Sequence, residues 1–318
     1  MTRICIIVAS HISISIRVKY LCECLNSLIN QTIVIPIFLS ISFENALVYQ
    51  IFQKTMTLNN LLENTNIVVF YQDKQTSQFR HIFQVFEIIK NDYDYIMFCD
   101  DDDTYENIRV QAFVEALIDA INGMKNHIGK QLVGIYERKN NESHTNAYTE
   151  FWNYCIDVKY IQQFITIINN GGFNKHIDNN YFDMMFGSYL RFLDNTHVFG
   201  SLNYKLYNYN KYDNSLLGIT QANNLLHKKI KYRNLNNPYE SLKRCNDYII
   251  NNINRMKKNM FLQISRGLNY NEQCVINECF PMEEDRFICL LDPMLILELK
   301  QYYTDVKQMA ISIGINYD

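Results

Sequence analysis

Short β-branched runs alternate with amphipathic stretches through the first hundred residues. Ile4–Val8 is a continuous apolar run and predicts a strand. Val18, Leu21, Cys22, Leu25 and Leu28 follow at helical spacing. Ile33–Leu39 predicts the second strand, although Pro36 inside it cannot donate to a ladder. Asn45–Leu62 is helical in pattern, with Leu47, Ile51, Met56 and Leu61. Ile67–Phe70 predicts the third strand, and Phe79, Ile82, Phe83, Phe86 and Ile89 mark the third helix. Tyr95–Cys99 predicts the fourth strand. Apolar strands separated by helices at a repeat of about thirty residues point to a parallel sheet covered on both faces. The predicted class is α/β, with a doubly wound, mostly parallel sheet.

The pattern changes near residue 219. Leu242, Cys245, Ile249, Ile253, Met256 and Met260 form a helical stripe, and Pro281 interrupts the chain. Asp292-Pro293 has the form of an N-cap followed by the first helical position, opening a helix from Met294 to about Ile311. The expected division is an α/β unit over 1–218 and a helical C-terminal extension over 219–318. Arg244, Arg255, Lys257 and Lys258 make that extension mildly basic and amphipathic, which permits membrane-surface contact. Packing on the α/β unit or a homo-oligomer surface is the plainer expectation.

Composition narrows the classes. The 318 residues are 48% hydrophobic, enough for a large core, and carry a net charge of −3. So weak a field argues against a general nucleic-acid or polyanion binder. The longest apolar run, Ile33–Phe43, is shorter than the ~20 residues a membrane span needs. The N-terminus runs straight into Ile4–Val8 with no small-residue cleavage site, so a strand is expected rather than a signal peptide, and a cytoplasmic location follows. Nine scattered Cys show no paired CxxC and read as reduced, buried thiols. The Asn-, Ile- and Tyr-rich bias suggests an AT-rich viral or protist genome.

The chemistry gathers at the strand ends. Ligands of open α/β sheets bind at the carboxyl ends of the strands. Those ends carry Ser10-His11, Ser40 and Ser42, Gln72-Asp73, and Asp100-Asp101-Asp102-Asp103. Neither G-x-G-x-x-G nor GxxxxGK[ST] is present, against a dinucleotide fold and a P-loop. Four adjacent carboxylates repel, and a divalent cation with oxygen ligands relieves the repulsion. Alternation along a strand lets Asp100 and Asp102 face one site while Asp101 and Asp103 turn away. A solvated acidic turn capping a helix near Glu106 is the alternative.

Tyr95–Asp103 resembles the DXD segment of GT-A glycosyltransferases, in particular family-2-like enzymes. Tyr20–Thr32, with its Ser27-Leu28-x-x-Gln31 ending, is similar to that family's first helix. Arg109 resembles the arginine that follows the acidic motif, and Gln78-Phe79-Arg80-His81 occupies the helix where the family carries a donor-site arginine. The resemblance covers about residues 3–215. It implies a GT-A fold, a nucleotide-sugar donor with UDP as the default, and Mn²⁺ or Mg²⁺ held by Asp100 and Asp102. It assigns donor contacts to Ser10, Ser40, Asp73, Gln78, Arg80 and Asp101, with Asp103 and Arg109 as further candidates. The expected acidic reader of the base after the second strand is replaced by Leu39-Ser40-Ile41-Ser42-Phe43-Glu44. For inverting transfer the resemblance implies a carboxylate base opening an acceptor-side helix. Asp183 is the first choice and Asp178 the second; the helix dipole there is expected to keep Asp183 ionised. A plain helix-capping role for Asp183 is the alternative. Asn210 or Asp213 could replace the histidine that the family often presents as a third metal or diphosphate contact.

Trp152, beside Phe151 and Tyr154, could stack on a sugar but reads first as core. Gly171-Gly172 forms a turn upstream of the Asp183 helix. His11, His81, His127, His144 and His227 show no ligand spacing. The acceptor, whether glycan, protein or lipid, stays open. Two other readings are a nucleotidyltransferase and an inactive GT-A-fold scaffold. Ser10–Lys19 supplies Arg17 and Lys19 but lacks the glycines of a nucleotidyltransferase loop.

Overall fold

The computed structural model describes residues 2–124, 129–137, 150–193, 196–203, 205–210, 238–279 and 292–317. His127, His144, Asp213, His227 and Pro281 lie outside these residues, as do the side chains of Leu242, Arg244, Cys245 and Ile249. Two compact units are present: Met1–Tyr209 with Ile311–Ile315, and Asn210–Ala310 with Asn316–Asp318.

The first unit has the expected doubly wound α/β architecture, with a mostly parallel sheet. Its elements are β1 (Ile4–Ile12), α1 (Ile16–Ile29), β2 (Ile37–Phe43), α2 (Ala46–Leu58), β3 (Ile67–Gln72), α3 (Gln78–Ile89), β4 (Tyr95–Asp100), β5 (Thr104–Tyr105) and α4 (Arg109–Met124). There follow β6 (Gln131–Glu137), β7 (Tyr154–Asp157), α5 (Val158–Asn170), α6 (Phe182–Arg191), β8 (His197–Leu202) and β9 (Tyr207–Asn208). The sheet order is β3-β2-β1-β4-β7-β6-β8. The first four strands are parallel, and β7 runs antiparallel to both β4 and β6.

Pro36 corrects the expected second strand. The strand begins after it, at Ile37, and continues to Phe43. Proline lacks the N–H a ladder needs, but its carbonyl still accepts from Ile6 N at 2.9 Å. The helix expected near Glu106 starts at Arg109. Asn45 caps the start of α2 by accepting from Val48 N at 3.1 Å, and the helix stops at Leu58 rather than reaching Leu62 because Asn60, at φ 55°, turns the chain out of the helix.

Alternation along the strands builds two cores. Ile4, Ile6, Val8, Leu39, Met97 and Cys99 pack with α1, α2 and α4 through Leu21, Leu25, Phe52 and Phe113. An aromatic core involves Phe98 on β4. Its ring lies 5.2 Å from Phe151 and 6.2 Å from Phe186, while Phe79 of α3 lies 5.2 Å from Phe182. These contacts fix α6, and with it Asp183, against α3 and β4.

The Ser27-Leu28-x-x-Gln31 segment fastens the loop that follows the acidic run. Gln31 Nε2 donates to Ser27 O and Glu106 O, each at 2.9 Å, and Gln31 Oε1 accepts from Val110 N at 3.0 Å. Ser27 Oγ accepts from Tyr105 N at 3.1 Å. That loop then pairs as β5 with β9, which carries Tyr207 back over the carboxylates.

Beneath the ribbon lies a buried ion pair. Arg109 Nε donates to Glu137 Oε1 at 2.6 Å and Nη2 donates to Trp152 O at 2.9 Å. Its guanidinium lies 4.0 Å from the centre of the Tyr105 ring and 5.1 Å from that of Tyr207. Both charges are fully enclosed, at 0% and 2% side-chain exposure. Arg109 is therefore a strut under the acidic run.

In the second unit, Asp292 Oδ1 accepts from Met294 N at 2.8 Å, as the N-cap reading expects. Lys257 on Pro238–Ser265 pairs with Glu298 on Pro293–Ser312 at 2.6 Å, so this member of the basic stripe is spent between helices. Among the described residues, no helix is long and apolar enough to cross a membrane.

Removing one partner of an enclosed ion pair strands the other charge, at a cost of about 3–5 kcal/mol. For a unit of this size, that is a drop of roughly 6–20 °C in Tm. Glu137→Ala is expected to show that loss by thermal denaturation, while Glu87→Ala, whose pair with Lys90 is at the surface, should change Tm little.

Candidate active site

Parallel pairing brings His11 opposite Ser42, Ser42 opposite Gln72, and Ala9 opposite Asp100. The carboxyl ends of β1 to β4 thus form one polar edge, as the topology of an open sheet requires.

At the β4 end each acidic residue has a distinct partner. Asp100 Oδ1 accepts from Gln78 Nε2 at 2.7 Å. Asp101 is buried: Oδ2 accepts from Ser10 Oγ at 2.6 Å and Oδ1 pairs with Arg17 Nη2 at 2.6 Å. Arg17 Nη2 also stands 3.8 Å from Asp102 Oδ2. Asp103 is fully buried, and its Oδ2 accepts from Tyr207 OH at 2.7 Å. The same phenol oxygen accepts from Asp100 N at 3.2 Å. Tyr207 therefore clasps both ends of the run.

The charges are crowded and poorly hydrated. Burial, then Asp103, Asp102, Asp101 and Asp183, hold the Asp100 pKa well above the usual carboxylate range. Burial and Asp101 push Asp102 up to about 7, with Arg17 pulling the other way. Asp183 opens α6 and is close enough to Asp100 to raise its pKa. Its Oδ1 is enclosed and has no hydrogen-bond partner among the described residues. Burial lifts Asp183 to about 6, against the backbone N–H groups of Met184 and Asp183 itself. The expected effect of the helix dipole is therefore outweighed by burial.

The other expected site residues are placed differently. Arg80 and Asp178 hold each other, with Nε–Oδ1 at 2.6 Å and Nη2–Oδ2 at 2.7 Å, and Ser77 Oγ donates to Asp178 at 2.8 Å. The Arg80 hydrogen bonds keep Asp178 below the usual carboxylate range, making it a weaker base than Asp183. Asp73 is exposed beyond β3, two strands from β1. Ser10 and Ser40 are buried and bonded to protein groups. Trp152 is half-buried, stacked on Tyr207 at 6.1 Å and on Tyr209 at 6.3 Å. Gly172, at φ 71°, makes the left-handed turn after α5 that a side chain would strain.

Sequence reasoning left His11 and His81 without a role, but both belong to one hydrogen-bond chain. Gln72 Nε2 reaches Ser40 Oγ at 3.3 Å, and Ser40 Oγ is 2.7 Å from His81 Nδ1. His81 Nε2 is 3.1 Å from Ser42 Oγ, Ser42 Oγ is 2.9 Å from His11 Nδ1, and His11 Nε2 is 3.2 Å from Glu44. The amide end can only donate and the carboxylate end can only accept. With neutral rings, the chain then runs one way: each group donates toward Glu44, and both imidazoles carry their proton on Nε2. Burial lowers the His81 pKa to about 4, which keeps that ring neutral.

The pairings of Tyr207 with Asp103, Glu137 with Arg109 and Arg17 with Asp101 had no sequence signal. The partners lie 104, 28 and 84 positions apart along the chain.

No protein-family model matches the chain, and no curated protein matches it. Among solved structures, it is similar to the crystal structure of S. aureus TarS, at 13% identity and a TM-score of 0.44. The match covers 96% of this chain and 55% of that one, so this chain spans about half the length of that protein.

Asp102 and Asp183 titrate at about 7 and about 6, above the ~3.9 of an unfolded aspartate. Between these values the folded state holds more protons than the unfolded state, so stability falls as pH rises. In EDTA, Tm is expected to decline from pH 5 to pH 8. Asp102→Asn should flatten that decline, and an unchanged slope in thermal denaturation would refute the assignment to Asp102.

Proposed function

We propose that this chain is a metal-dependent glycosyltransferase. It moves a sugar from a nucleoside-diphosphate sugar, with UDP as the default nucleotide, to an acceptor hydroxyl with inversion. The observation that carries this reading is the carboxyl edge of β4. Asp100 and Asp102 are crowded there beyond what Arg17 balances, beside Asp183 with its enclosed, unpartnered Oδ1.

The donor set suits a hard divalent cation such as Mn²⁺ or Mg²⁺. Among the described residues, no three His, Cys, Asp or Glu side chains form a closed metal cage. Mg²⁺ is usually held by one or two carboxylates and completed by substrate oxygens. Asp100 and Asp102 are the residues that would hold it. When bound, the metal supplies Lewis-acid stabilisation of the charge that grows on the departing diphosphate.

The chain's own residues divide the remaining work. Gln78 orients Asp100, and Tyr207 fixes the strand end from which both carboxylates project. Asp183 takes the proton of the acceptor hydroxyl as its oxygen attacks the anomeric carbon and the bond to the diphosphate breaks. With a pKa of about 6, Asp183 is ionised at neutral pH yet basic enough to accept that proton. A single displacement of this kind inverts the anomeric centre.

The purified protein, given a panel of nucleotide sugars and Mn²⁺, should release nucleoside diphosphate. Asp102→Ala should abolish that release. Asp183→Asn should lower transfer by about 10²–10⁴-fold, the usual worth of a general base, while the thermal shift with donor persists. Absence of any thermal shift with any nucleotide sugar, with or without metal, would overturn the reading.

A further inference from the structure

Arg17 sits in the first turn of α1 and reaches across to the end of β4. Its Nη2 is 2.6 Å from Asp101 Oδ1 and 3.8 Å from Asp102 Oδ2. The second oxygen of Asp101 accepts from Ser10. Asp101 is thereby committed to gripping the guanidinium from one side, with Ser10 locking the carboxylate in place. The Arg17 side chain is only 16% exposed, and its Nε is enclosed without a hydrogen-bond partner. A guanidinium has five N–H donors and stays charged at every relevant pH. Here one nitrogen carries both contacts to the acidic run, and a buried donor remains unsatisfied. Buried donors are rarely left so unless a ligand or water completes them.

We infer that Arg17 is a second, protein-borne cation of the diphosphate site, contacting the same phosphates as the metal on Asp102. This rests on the glycosyl-transfer reading. A cation on Asp102 and the guanidinium share one carboxylate neighbourhood, so in the absence of an anion they repel. A diphosphate brought between them is attracted by both, and a fork of N–H donors suits phosphate oxygens. Asp101 serves as the anchor of Arg17 rather than as a metal ligand.

The signature has two opposite signs. Removing Arg17 relieves repulsion of the metal and removes attraction for the diphosphate. In Arg17→Gln, Mn²⁺ alone should bind at least about fivefold more tightly, the factor expected for two unit charges about 4 Å apart even in water. UDP in EDTA should bind about 10- to 100-fold more weakly, the cost of lost hydrogen bonds to a charged partner. A residue that merely supports the fold would weaken both ligands together. Arg17→Lys keeps the charge and should restore most of both affinities.

The test is titration calorimetry of the full chain with Mn²⁺ alone and with UDP in EDTA, on wild type and both variants, with Tm recorded to verify folding. Tighter Mn²⁺ with weaker UDP in Arg17→Gln, recovered in Arg17→Lys, supports the inference. Equal affinities in all three proteins, or parallel weakening of both ligands, overturns it and leaves the transferase reading standing. If wild type binds neither Mn²⁺ nor UDP, together or apart, both fail. If Arg17→Gln does not fold, the same two titrations on Arg17→Met, which keeps the length and removes the charge, decide: tighter Mn²⁺ with weaker UDP supports the inference, and unchanged affinities or parallel weakening overturn it.

Discussion

Four carboxylates at the end of one buried strand cannot all ionise without help. The surrounding structure is arranged around that electrostatic constraint. Asp101 is matched by Arg17 and Ser10, Asp103 by the phenol of Tyr207, and Asp100 by the amide of Gln78. These partners come from β1, α1, α3 and β9, so the run ties four elements to the end of β4. The supports extend further. Tyr207 is held by the β5–β9 ribbon and by Trp152, and Arg109 stacks beneath it while paired with Glu137. Loss of charge balance at Asp101 or Asp103 would therefore be felt in the ribbon and in the sheet.

Much of this frame was legible in the sequence because it depends on local periodicity. The βα alternation, the position of the acidic run after the fourth strand and the cap at Asp292 all follow from patterns a few residues long. Pro36 was legible as a conflict, and the chain resolves it by starting β2 directly after it, at Ile37. What could not be read depends on tertiary approach. Arg17 lies on a helix surface where any basic residue would suit, and only folding brings it to Asp101. Glu137 follows an apolar strand with no motif to distinguish it. The same gap explains Asp183. Its place in the first turn predicted a stabilised charge, but burial of the carboxylate costs more than the helix dipole returns.

His11 and His81 show a different limit. A search for metal or catalytic spacing passes over them, because their partners are hydroxyls on a neighbouring strand. Ser40 and Ser42 look like donor-facing residues from their place at the strand end. In the fold they face inward and link two imidazoles into one directed chain between Gln72 and Glu44.

The polar edge of the sheet is thus divided. Over β1 to β3 the side chains satisfy one another in a hydrogen-bond chain that ends on Glu44. Over β4 the carboxylates outnumber the guanidinium that reaches them, and burial makes each remaining charge expensive. An incoming group therefore meets two different surfaces along one edge. The first has a fixed pattern of donors and acceptors that resists rearrangement. The second carries more negative charge than the one guanidinium beside it balances. A net charge of −3 over 318 residues conveys neither property, because the field that matters is confined to one strand end and its neighbours.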